Sequence, residues 1–263
     1  MKALDSTTYE HPLDKKSLGA LKKIPLLDKL CTWIINFQIK TDYLSQYKGN
    51  SIMVTEKLSP RVYRLKKLAE ERLCMNQDIP MFITLDWNYN AFTAGVDKPI
   101  IVLNSSVVEN FSDDELLYII GHEMGHIKSK HMLYHWMANN IASWMFNNSI
   151  ISGAALLGLI VALKEWHRKS ELTADRAGYI ACKNKEAAIT GMMRLMGVPA
   201  DYENSVDWNI SAEDILEQYK GYKEVTQDSI YMKLIYCYIT SSLSHPWMIE
   251  RINEINEWEL TVE

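Results

Sequence analysis

Hydrophobic and polar positions along the chain fall into two rhythms. From Leu26 to Ile39 apolar residues recur at helical spacing. Ser59-Pro60 reads as a helix start, with Ser as N-cap and Pro at the first helical position, and predicts a helix from about Arg61 to Met75. Three short extended runs follow: Met81 to Leu85, Asn90 to Ala94 and Ile100 to Leu103. Turn residues separate them, among them Gly95 and Asp97-Lys98-Pro99, so they predict a small antiparallel sheet of three strands. Helical spacing resumes at Ser112, where Ser112 and Glu115 form a capping box ahead of Leu116-Leu117-Tyr118-Ile119-Ile120. The expected class is α+β, mostly helical.

Ser149 to Leu163 carries no charge over 15 residues. As a helix it would be ~22 Å long, short of a ~30 Å hydrocarbon core. It is expected to be a helix buried inside the domain; a membrane or self-association contact through 149–163 is the alternative. No internal repeat or long linker is visible. The chain divides at about residue 58, into an N-terminal helical extension (1–58) able to cover a cleft and a main domain (59–263).

Composition narrows the function. Of 263 residues, 28 are Lys or Arg and 33 are Asp or Glu, a net charge of -5. No basic stripe is available to neutralise phosphates, so nucleic acid is excluded as a partner. The four cysteines, Cys31, Cys74, Cys182 and Cys237, have no metal-ribbon spacing and fit free thiols in a reducing compartment. The start, Met1-Lys2-Ala3-Leu4-Asp5, leads into polar residues rather than an apolar signal core. The expected location is the cytoplasm, with peripheral membrane contact as an option.

The chemistry lies in His122-Glu123-Met124-Gly125-His126. Two histidines four apart share a helix face and can reach one metal ion, while Glu123 lies one step round the helix and can hold a water there. Catalytic zinc takes three protein ligands and keeps one position open. No third histidine follows at metzincin spacing, because Lys130-His131 does not fit it. Glu171-Leu172-Thr173-Ala174-Asp175 offers a third ligand from a second helix. Glu171 would bind zinc, one ion per chain, and Asp175 would accept a hydrogen bond from a ligand histidine. His131 and His135 are also four apart, but on an unbroken helix His131 would face away from the metal. His11 and His167 have no partner pattern.

These two motifs resemble the gluzincin family of HtpX and the CAAX prenyl endopeptidase, and most of all its small soluble minigluzincin members. Asn90-Ala91-Phe92-Thr93-Ala94-Gly95 and Lys98-Pro99-Ile100-Ile101-Val102-Leu103 resemble that family's strands. Ser170 to Gly178 resembles its second metal helix, and Ser244-His245-Pro246 with Arg251-Ile252 its C-terminal motif. The likeness covers about Ile24 to Asn256, and the long membrane helices of HtpX and the prenyl endopeptidase are missing. The resemblance implies a zinc endopeptidase of polypeptide substrates with Glu123 as general base. Asn90, Ala91, Phe92, Thr93 and Ala94 would pair with an extended peptide as an added strand. His245 would stabilise the oxyanion, occupy zinc's open position in a latent enzyme, or merely shape its loop. Arg251 would position that loop through a salt bridge. The competing reading is a latent or inactive zinc-binding, chaperone-like interaction module.

Overall fold

The computed structural model describes residues 4–23, 27, 43–138, 153–199, 201–202, 208, 210–227 and 247–259. Leu26 to Ile39 (apart from Leu27), Ser149 to Ser152 and the Ser244-His245-Pro246 motif therefore lie outside the described residues.

A short helix α1 (Pro12–Leu21) is followed by α2 (Tyr43–Asn50) and β1 (Ile52–Met53), then α3 (Pro60–Arg72). Next come β2 (Met81–Thr84), β3 (Ala91–Ala94) and β4 (Ile100–Asn104), then α4 (Ser105–Asn110) and α5 (Asp113–Lys128). Residues 132–138 are helical. The long α6 (Gly153–Cys182), α7 (Lys185–Leu195), α8 (Ala212–Gln227) and α9 (Met248–Glu257) complete the described elements. The α+β, mostly helical class holds.

The sheet differs from the expectation of three antiparallel strands. Four strands lie in the order β1-β2-β4-β3, and the β2–β4 pair is parallel. The cause is the apolar content of β4. Every one of its positions is buried, and such a run needs neighbours on both sides and cover on both faces. β4 therefore inserts between β2 and β3, and β3, whose positions are all half-buried, becomes the edge. The 86–90 loop is pinned beneath this crossover. The Asn104 Nδ2 amide and the Ser106 hydroxyl both donate to the Asn88 carbonyl, at 2.9 and 2.7 Å. β1 is two exposed residues long, too short for any periodic signal.

The predicted capping box of α5 is present in both directions. Ser59 does sit at the N-cap of α3 with Pro60 behind it, but its hydroxyl makes no capping bond. The apolar run and the Glu171 motif, expected on separate helices, share α6. Leu159 and Leu163 are buried while Val161 is 47% exposed, so the run is not enclosed on all sides. Among the described residues no helix is long and apolar enough to cross a membrane.

α5 and α6 cross at unusually close range because three glycines remove side chains from the contact. A Cβ on Gly121 would lie 2.3 Å from the Ala181 Cβ, and one on Gly125 2.6 Å from the Ala177 Cβ. One on Gly178 would meet the Tyr118 ring at 2.7 Å. This approach sets the distance between the two sequence motifs.

Candidate metal centre

His122, Glu123 and His126 stand in the buried middle of α5, and Glu171 and Asp175 face them from α6. The two imidazole Nε2 atoms are 3.1 Å apart. His122 Nε2 is 3.5 Å from Glu171 Oε2, and His126 Nε2 is 3.3 Å from Glu171 Oε1. Ligand bonds of ~2.0–2.1 Å at tetrahedral angles put ligand atoms about 3.3–3.4 Å apart, so this triangle has the size of a zinc site. Its chemistry agrees. Two ring nitrogens and a carboxylate converge in a buried space, where a cation is the group that satisfies all three.

Each ring is held from behind. Asp175 Oδ1 accepts from His122 Nδ1 at 2.9 Å and from the Tyr118 hydroxyl at 2.7 Å. Arg251, on α9, grips the same carboxylate with both forks, Nε to Oδ2 at 2.8 Å and Nη2 to Oδ1 at 2.6 Å. Its Nη1 also lies 3.7 Å from Glu171 Oε2. Arg251 thus pairs with the metal-side carboxylates; the His245 loop that the sequence also offered it lies outside the described residues.

The electrostatics follow from burial against these partners. Burial pushes the His126 imidazole down to about 3, which leaves it neutral with a lone pair to give. Burial acts on His122 in the same direction, but its hydrogen bonds to Asp175 and Glu171 outweigh it and raise it to about 9. Asp175 is opposed by burial too, yet Arg251 and His122 hold it well below the usual carboxylate range.

Glu123 reaches toward the sheet. The Thr93 hydroxyl, on the edge strand β3, donates to Glu123 Oε2 at 2.7 Å. The strand expected to bind substrate therefore also holds the Glu123 carboxylate. Among the described residues no strand covers the outer edge of β3.

His131 and His135 correct the sequence expectation. α5 stops at Lys128, and Lys130 takes the left-handed conformation at φ 58°. The Lys130 and His131 amides then donate to the Ile127 and His126 carbonyls, at 3.1 and 3.0 Å, closing a Schellman motif. The turn brings His131 back against the site, buried, with its Nδ1 3.1 Å from His126 Nδ1. His135 donates to Ser170 Oγ at 2.7 Å, since that hydroxyl gives its own proton to the His167 carbonyl. His167 packs edge-on to His135, and His11 caps α1 and bonds Glu254 at 2.9 Å. The helix end was missed because its left-handed position holds Lys, where glycine would have signalled it.

A buried triad of two histidines and a glutamate could hold a metal ion, and a further carboxylate is set against a sheet edge. The profile of peptidase family M48 matches residues 63–259, and the chain belongs to that family of metallopeptidases. It is 26% identical over 267 residues to the plastoglobule-localized metallopeptidase 48 of the chloroplast, from Arabidopsis thaliana. That alignment covers 100% of this chain and 75% of the relative. No solved structure matches the chain.

Proposed function

We propose that this M48 peptidase is a zinc-dependent endopeptidase that cleaves extended or unfolded polypeptides. The observation that carries the reading is the His122–His126–Glu171 triangle, with separations of 3.1, 3.3 and 3.5 Å, and the neighbouring Glu123 tethered to Thr93. His122, His126 and Glu171 would hold one zinc ion per chain. Zinc in such a site acidifies water and polarises a carbonyl. Glu123 takes the proton of the attacking water and delivers it to the leaving amine. Thr93 aims that carboxylate, and Asp175 with Arg251 keeps His122 turned toward the triangle.

The open edge of β3, from Asn90 to Ala94, supports substrate binding by strand addition. Main-chain pairing of this kind accepts many sequences but only an extended chain, hence the unfolded substrate class. His245 is proposed as the oxyanion donor and lies outside the described residues. A cytoplasmic location with peripheral membrane contact is likewise a proposal.

Cleavage of an unfolded protein by wild type and by Glu123→Gln, with metal analysis of both, tests the reading. The variant should keep one zinc per chain and lose at least ~10²-fold of the activity, the lower end of general-base contributions. Wild-type turnover by Glu123→Gln would overturn it.

A further inference from the structure

The ring of His126 needs the same support from behind that Asp175 gives His122, and the structure assigns that support to the N-terminal helix: we infer that Asp14, acting through His131, is a positioning residue for His126. This rests on the reading of His126 as a metal ligand. If His126 turns its Nε2 lone pair to the metal, its Nδ1 carries the proton and donates to His131 Nδ1, 3.1 Å away. His131 then carries its own proton on Nε2, which lies 3.3 Å from Asp14 Oδ2. Each proton in the chain has one acceptor, so the tautomer of both rings is fixed from the far end.

Asp14 is built to be that end. It is 1% exposed although charged, and every contact on it is a donor. The Thr173 hydroxyl donates to Oδ2 at 2.6 Å and the Trp166 indole N–H to Oδ1 at 2.8 Å. Both donors stand on α6, and Thr173 is two residues from Glu171. A buried carboxylate oriented this strongly, on a helix 112 residues upstream of His126 (126 − 14), serves more than the docking of α1. α1, which belongs to the extension that the sequence offered as a cover for the cleft, thereby becomes a part of the metal centre.

The test is zinc release from the full-length holoprotein into excess chelator, with the visible spectrum of the cobalt-substituted protein as a second readout. Asp14→Asn and His131→Phe should each release zinc about 10–100-fold faster than wild type and alter the cobalt spectrum, the usual size of an outer-partner loss. His11→Ala removes the N-cap side chain of the same turn and its bond to Glu254, but none of the relay's own bonds, and should leave both readouts unchanged. Wild-type release by His131→Phe, or equal acceleration by His11→Ala, would overturn the relay; His131→Phe carries the test alone if Asp14→Asn does not fold. His126→Ala separates the two ideas. If it too holds zinc like wild type, the ligand assignment has failed rather than the relay.

Discussion

At the scale of single residues the site divides into groups whose chemistry shows in local spacing and groups that only the fold delivers. Glu123 was readable from its motif, but the hydroxyl that aims it was not, because Thr93 sits 30 positions upstream on another element. Thr93→Val keeps the β-branched shape and removes the donor. A hydrogen bond to a charged group is worth ~1.5–3 kcal/mol, so kcat should fall about 10–100-fold with zinc content unchanged. Steady-state kinetics beside metal analysis decides this, and an unaltered kcat would mean that Glu123 orients itself. Arg251 was expected to form an ion pair, but its grip on Asp175 was not legible, because the two stand 76 positions apart on different helices. Arg251→Met leaves that carboxylate buried without its cation, and should cost ~3–5 kcal/mol in denaturant unfolding. Tyr118, His131 and Asp14 carry no motif at all. Each gains meaning only when α1, α5 and α6 meet.

Among elements, helix ends were harder to read than helix starts. The α5 start announces itself through Ser112 and Glu115. Three helix ends are marked by non-glycine residues with positive φ, at Cys74, Lys130 and Lys183, so the usual stop signal is missing. The left-handed conformation costs a side-chain-bearing residue roughly 1–2 kcal/mol. Lys130→Gly should therefore stabilise the protein, by about 1 kcal/mol once the looser unfolded chain is counted. Lys130→Val should destabilise it and disturb His131 as well. Thermal melts of the two variants give the sign, and equal melting temperatures would show that the turn stores no strain. The sheet order was legible in one respect. β4 is apolar from Ile100 to Leu103, which marks a central strand, although nothing local tells which strand lies on each side of it. The α5–α6 distance was not legible. Gly125 looks like a filler inside the histidine motif until Ala177 is seen opposite it. Gly125→Ala should part the helices, costing ~1–3 kcal/mol, and lower zinc affinity together with stability.

Over the whole molecule, the described N- and C-terminal helices are joined by carboxylates. α1 is held to α6 through Asp14, and to α9 through His11 and Glu254. Burial opposes the Asp14 carboxylate, but bonds from His131, Thr173 and Trp166 outweigh it and keep its pKa below the ordinary 3.8. The hydrogen bond from His11 keeps Glu254 below 4.5 in the same way. Both shifts are downward on folding, so the unfolded chain binds protons more readily than the native one, and native stability rises with pH across this window. The contribution is complete above about pH 5 and is lost as pH falls through the ordinary carboxylate values toward the depressed ones. Asp14→Asn removes the titrating group while keeping its size. It should be less stable than wild type at pH 7, by ~1–3 kcal/mol for the lost charged acceptor. That gap should narrow steadily below about pH 4, because the wild-type carboxyl is then being neutralised as well. Urea unfolding of both proteins from pH 7 down to pH 3 measures the gap directly. A gap that stays constant to pH 3 would show that the Asp14 charge does not hold the N-terminal helix in place. A narrowing gap would make detachment of α1 an early event in acid unfolding.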